Sequence, residues 1–245
     1  MYRHYEDQIG WNQTLANKAF KALKKLVVDG QVPPDTRLDP RVISDALKTS
    51  VTPVREALIH LEAERYIVGS PKCGYYTMKL DAKHISDQYG VIKIILQDVF
   101  RGNVDKLQRR LPLLQTTPNW DDHCSVSEFL ESFCERVAET TNNGILVDLV
   151  HESNIRTRYF RWLDLQRPER LSCIRADASE LLQLLDKRDK SGAIANLDRQ
   201  FSAISNTLPE LVLEGNDRAG NTKESWLEAL SLISAEGTVS LNAVK

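Results

Sequence analysis

Strand-forming sequence is confined to one short stretch of this chain, and that restricts its possible folds more than any other feature. Two runs, Tyr66-Ile67-Val68 and Tyr75-Tyr76-Thr77-Met78, flank Gly-Ser-Pro-Lys-Cys-Gly. Strand formers on either side of turn residues predict a hairpin. Beyond Asp81 the strand signal vanishes, and helical periods cover 81–110, 124–141, 144–164, 168–188 and 190–207. They are broken at Pro112, Pro118, Asn142-Asn143-Gly144 and Arg167-Pro168. That pattern predicts an antiparallel helical bundle.

Three helices precede the hairpin. Residues 12–29 repeat Leu15, Ala19, Leu23, Leu26 and Val27 at helical spacing with lysines opposite, and Gly30 supplies the left-handed stop. Pro33-Pro34-Asp35 makes a turn. A short helix follows to Leu47, opened by Asp39-Pro40 as cap and first turn. A third covers 51–64, capped by Ser50 or Thr52, with Val54, Ala57, Leu58 and Leu61 as its buried stripe. Three helices and a hairpin within 80 residues outline a winged helix-turn-helix. The fold class is therefore mainly α: a winged helix-turn-helix over residues 1–79, an all-α bundle over 80–212, and an appendage over 213–245.

Composition permits a buried core, with 42% hydrophobic and 27% charged residues. Residues 1–80 carry 12 Lys and Arg against 9 Asp and Glu, whereas the whole chain has a formal charge of −2. A mildly basic head on an acidic body fits nucleic-acid contact at the front. The four cysteines (Cys73, Cys124, Cys134, Cys173) form no CxxC pair and predict neither a zinc site nor a disulfide framework. The start is charged and aromatic, without a secretory apolar core, and no apolar run approaches the roughly 20 residues of a membrane span. A cytoplasmic location, no membrane partner and no cofactor are expected.

The chemistry concentrates in Ser50-Val51-Thr52-Pro53-Val54-Arg55-Glu56-Ala57-Leu58. A helix entering the major groove needs a small polar start close to phosphate, long cationic side chains facing bases, and an apolar back. Ser50 and Thr52 lie where free backbone N–H groups and hydroxyls can bind phosphate. Arg55, one place after Val54, turns away from the core stripe and can offer its fork to guanine. The alternative for Arg55 is one more solvated charge on a surface helix.

From Ala19 to Met78 the chain resembles the winged helix-turn-helix of GntR-type regulators, in the FadR-like branch. Four blocks carry the resemblance in order: Asp29-Gly30 with Pro33-Pro34 and Leu38, the helix ending at Leu47, Thr52 to Glu64, and Pro71 to Tyr76. Carried over by position, it implies DNA contacts from Arg41, Thr52 and Arg55 in the major groove or on its phosphates. It implies Lys72 and Gly74 at the wing, against the adjacent minor groove or backbone. Gly74 can equally be a simple hairpin glycine. Such regulators usually have arginine after the serine; here Val51 stands there, so an atypical operator is expected.

The same resemblance extends more loosely to a helical FCD-type effector domain, through Phe133 to Leu146 and Leu184 to Phe201. Many such domains bind a divalent metal. In this chain the corresponding places hold Leu130, Cys134, Ala178 and Gln200, and the first bundle helix has Ile92 and Leu96 instead of charged residues. The metal site reads as lost, leaving either a pocket for a small apolar effector or a filled core. Cys134 reads as a small buried hydrophobe or, alternatively, a redox sensor. Arg156, Arg158 and Arg161 with Trp162 form either an acidic-effector site or a solvated helix face with one interior aromatic.

Two functions from different classes follow. The first is a dimeric, sequence-specific transcription regulator, with double-stranded DNA as partner and possible control by a small-molecule effector. Two-fold symmetry would double a short half-site. The second is a helical interaction or effector-sensing module with a weakened DNA-binding head. No nucleophile motif, acid–base pair or phosphate-cradling glycine loop points to an enzyme.

Overall fold

Thr14 opens the first helix by accepting the Asn17 N–H at 3.1 Å, and α1 runs Leu15–Val28. The structure is a computed structural model and describes residues 14–70, 74–102, 107, 117–218 and 225–239. Its contacts divide the chain into two compact units, Met1–Lys79 with Gly215–Lys245, and Leu80–Glu214.

In the first unit α1 is followed by β1 (Arg37–Leu38), α2 (Pro40–Ala46), α3 (Val51–Ala63), β2 (Ile67–Ser70) and β3 (Gly74–Thr77). The strands form an antiparallel sheet in the order β1-β3-β2, with Arg37 opposite Tyr76 and Val68 also opposite Tyr76. The hairpin expected from sequence is thus present, starting at Ile67 where Tyr66 was expected, and a third strand joins its other edge. Thr77 fixes that junction. Its hydroxyl donates to the Pro33 carbonyl at 2.6 Å and accepts the Thr36 N–H at 2.9 Å.

Two helix ends in this unit are closed without glycine. After α2, Lys48 takes φ 51°, its N–H bonds the Asp45 carbonyl, and the Thr49 N–H reaches the Ser44 carbonyl. After α3, Arg65 takes φ 60° and Tyr66 bonds back to Leu61 in the same pattern. Both are Schellman caps, which satisfy the last carbonyls of a helix. Lys24 then clips α1 to the end of α3, pairing with Glu64 at 2.7 Å beneath the Tyr66 ring.

Residues 213–245, expected to form an appendage, do not stand apart. A last helix, α9 (Ser225–Val239), packs on α1 and α2. Trp226 and Leu230 are buried in one cluster with Leu23, Leu26, Ile43, Val54, Leu58 and Leu61. Their spacing of four residues puts both on one helix face, and burial of apolar surface drives the docking.

The second unit contains α4 (Ala82–Gly102), α5 (His123–Glu139), α6 (Gly144–Leu165), α7 (Pro168–Asp186) and α8 (Lys190–Arg218), whose last four residues are grouped with the first unit. Asp122 caps α5 and Asn143 caps α6, each accepting an N–H two residues on. His123 and Cys124, expected in a loop, are instead the first turn of α5. α8 extends beyond the expected end at 207 and runs through Pro209. Its core joins Ile92, Leu96, Phe100, Phe160, Leu197 and Leu211. No helix among the described residues is long and apolar enough to cross a membrane.

Candidate functional site

The buried stripe of α3 decides what its other face can do. Val54, Ala57, Leu58 and Leu61 are fully withdrawn from solvent, while Thr52, Arg55, Glu56 and Ile59 are exposed. Arg55 makes no side-chain hydrogen bond or ion pair among the described residues, so its guanidinium is uncommitted. Ser50 holds the extended N-cap backbone of α3 but makes no side-chain cap bond. Free N–H groups, a hydroxyl and the positive end of the helix dipole therefore coincide there.

Around α3 the remaining residues singled out in the sequence fall into two groups. Arg41 is exposed on the first turn of α2, where Asp39 accepts its backbone N–H at 2.8 Å. Gly74 closes the hairpin ladder opposite Ser70 with φ 93°, a conformation that strains any residue with a Cβ. Lys72 lies outside the described residues. On the opposite side of the wing Glu62 accepts the Gly69 N–H at 3.1 Å, which ties the recognition helix to β2.

One cation escaped the sequence reading. Arg37 on β1 is largely exposed, pairs weakly with Asp39 at 3.8 Å, and is the nearest neighbour of Gly74. A two-residue strand has no periodicity to announce it, so Arg37 reads in sequence as part of a loop.

In the helical unit a cavity of about 100 Å³ is lined by, among others, Ile92, Leu96, Leu130, Cys134, Ala178 and Gln200. These are the six positions that the resemblance placed at an effector centre. They do not fit a divalent metal. Withdrawal from water pushes the Cys134 thiol up to about 12, against a partial counter-pull from Arg161, and a metal binds the thiolate. Gln200 donates its amide to Asn196 at 2.6 Å. Among the described residues no three His, Cys, Asp or Glu side chains are grouped to hold a metal.

Of the arginine cluster on α6, Arg161 is buried, not solvated. It donates to Glu131, Ser127, Thr157 and the Asn154 carbonyl, and Arg158 shares Glu131. Burial alone would raise the Glu131 pKa, but the two guanidinium groups outweigh it and hold the carboxyl below its ordinary value. Arg156 pairs with Glu152 on its own helix.

Comparison with known proteins bears on both units. Residues 15–76 match the family of bacterial regulatory proteins called the gntR family. Over 81% of this chain and 92% of its own length, the HTH-type transcriptional regulator YdhC of Bacillus subtilis is 18% identical. The Nta operon transcriptional regulator of Aminobacter aminovorans is 26% identical over 54% of this chain and 67% of that protein. Among solved structures, a putative GntR transcriptional regulator of Rhodococcus sp. RHA1 superposes with a TM-score of 0.62 at 18% identity, covering 80% of this chain and 97% of that one. E. coli McbR/YncC gives 0.53 at 18% identity, over 80% and 98%. These likenesses extend beyond the winged helix into the helical region.

Proposed function

We propose that this chain, whose N-terminal unit is a winged helix-turn-helix of the GntR type, is a sequence-specific DNA-binding transcription regulator. The observation that carries the reading is Arg55: exposed, uncommitted, and mounted on a helix whose opposite face is fully buried. In this reading α3 enters the major groove. Arg55 faces a base edge, and Ser50 and Thr52 receive a phosphate at the helix start. Arg41 contacts the flanking backbone, while Lys72, Gly74 and the neighbouring Arg37 approach the adjacent minor groove. Val51 can offer a thymine methyl an apolar contact but no hydrogen bond.

The reading includes a dimer, because one recognition helix reads too few bases, with half-sites roughly 34 Å apart. It also takes the helical unit as a divergent effector domain of the FadR-like, FCD type, in which the cavity beside Cys134 receives a small molecule. The relatives' names as transcriptional regulators support the DNA-binding part.

The test is a gel shift on DNA from upstream of the chain's own gene, at about 50 and about 200 mM salt. Specific retardation that weakens by about a thousandfold or more between them is expected. Absence of any specific shift would favour a helical sensing module with a weakened head.

A further inference from the structure

The cavity of the helical unit contains one polar group that the protein leaves unmatched. Asn154 is 1% exposed and lines the cavity. Its amide nitrogen is used, donating to the Glu131 carbonyl at 3.2 Å and to Glu135 at 3.4 Å. Both partners are acceptors, so the orientation of the amide is fixed, with Oδ1 as the remaining acceptor. That Oδ1 has no hydrogen-bond donor among the described residues. A buried acceptor left without a donor is costly and rare.

The charges around it, in contrast, are all compensated. Arg161 is held by Glu131, Arg170 by Asp164 at 2.8 Å, and Asp177 by Arg199 at 2.8 Å. The Tyr89 hydroxyl is bonded to Thr157. An ionised ligand would find no free counter-charge there and would lose its own hydration. The rest of the wall is apolar, and about 100 Å³ leaves room for roughly seven to ten water-sized groups.

We infer that the cavity binds a small, uncharged, mostly apolar molecule carrying one hydroxyl or N–H group, which donates to Asn154 Oδ1. The inference rests on the proposed reading of the helical unit as an effector domain and supplies the chemistry of the effector. The acceptor selects for the donor, and the compensated charges reject organic acids and ammonium compounds.

Phenol, toluene and benzoate serve as probes, since phenol and toluene have almost the same shape and differ in the donor. Calorimetric titration of the full chain should give saturable phenol binding about tenfold tighter than toluene, and benzoate weaker still. The Asn154→Leu variant should reverse the order of phenol and toluene. Toluene or benzoate binding more tightly than phenol to the unmodified chain overturns the inference, as does no saturation by either neutral probe. None of these outcomes depends on the variant folding. The gel shift of the same preparation is read separately. Phenol binding without a specific DNA shift overturns the regulator reading and leaves the cavity assignment standing. A DNA shift with toluene preferred does the reverse.

Discussion

The hydroxyl of Ser231 shares its proton between the Leu227 carbonyl of its own helix, at 2.9 Å, and the Ala46 carbonyl, at 3.2 Å and 185 residues away in sequence. Ala46 is the last residue of α2, so α9 reaches the carbonyl end of the helix that precedes the recognition helix. A side-chain donor at that place satisfies one of the carbonyls a helix leaves open.

Trp226 is the apolar half of the same attachment, 5% exposed within the core of the first unit. Replacing it by alanine removes a large buried ring and leaves a void. A loss of about 3–5 kcal/mol is expected, measured as a lower denaturant midpoint. If the first unit unfolded at an unchanged midpoint, α9 would not belong to its core.

Arg55 contributes nothing to the interior, so Arg55→Ala should leave the melting temperature unchanged. Under the regulator reading it should weaken operator binding by about 1–3 kcal/mol and relax discrimination at one base pair. Fluorescence anisotropy on a set of single-base operator variants measures both. At the position facing Val51, a strict guanine requirement would contradict the reading.

Gly74→Ala separates conformation from crowding. The nearest atom to an added Cβ is Arg37 Nε at 4.0 Å, so space is available. The φ of 93° is the obstacle, and the expected cost is about 1–2 kcal/mol. Hydrogen exchange at the hairpin should accelerate while α1 remains protected. Unaltered exchange would mean the hairpin does not depend on that angle.

Glu131 gives the helical unit a defined acid limb. Its folded pKa lies below the ordinary 4.5, so the carboxylate contributes its full stability above that value. The contribution fades as pH falls through the lower folded value. Glu131→Gln should flatten this part of the stability–pH profile. Removing the charge also leaves Arg161 buried without its counter-ion, at a cost of about 3–5 kcal/mol near neutrality. Denaturant titrations of both proteins across the acid range measure each effect.

Cys134 should be chemically quiet. Cys124 and Cys173 are exposed, whereas the Cys134 thiol is pushed up to about 12. In a chain with Cys73, Cys124 and Cys173 replaced by serine, an aromatic disulfide reagent at about pH 8 should label Cys134 at least about a hundredfold more slowly than after denaturation. Fast labelling of the folded chain would revive the redox-sensor alternative.

Periodicity made most helices of this fold legible, because apolar spacing reports which face is buried. Their ends were less so. α2, α3 and α7 are followed by Lys48, Arg65 and Arg188 in left-handed conformations, at φ 51°, 60° and 57°, where sequence reasoning looks for glycine. Pro209 misled in the other direction, since α8 continues through it. Arg55 was legible as outward-facing from its position beside Val54. The Arg161 network was not: Asn154, Thr157 and Arg161 recur at helical spacing like a solvated stripe, and only the partner Glu131 on α5 turns that stripe inward. β1 and the docking of α9 depend on pairings between distant segments, which local pattern does not encode.

The position of Trp226 also sets a timetable. During synthesis α1, α2, α3 and the hairpin leave the ribosome long before α9, so the apolar face that receives Trp226 and Leu230 emerges uncovered. Nascent chains stalled before residue 226 should therefore carry an unfinished DNA-binding head, and release of the complete polypeptide becomes the step that closes it.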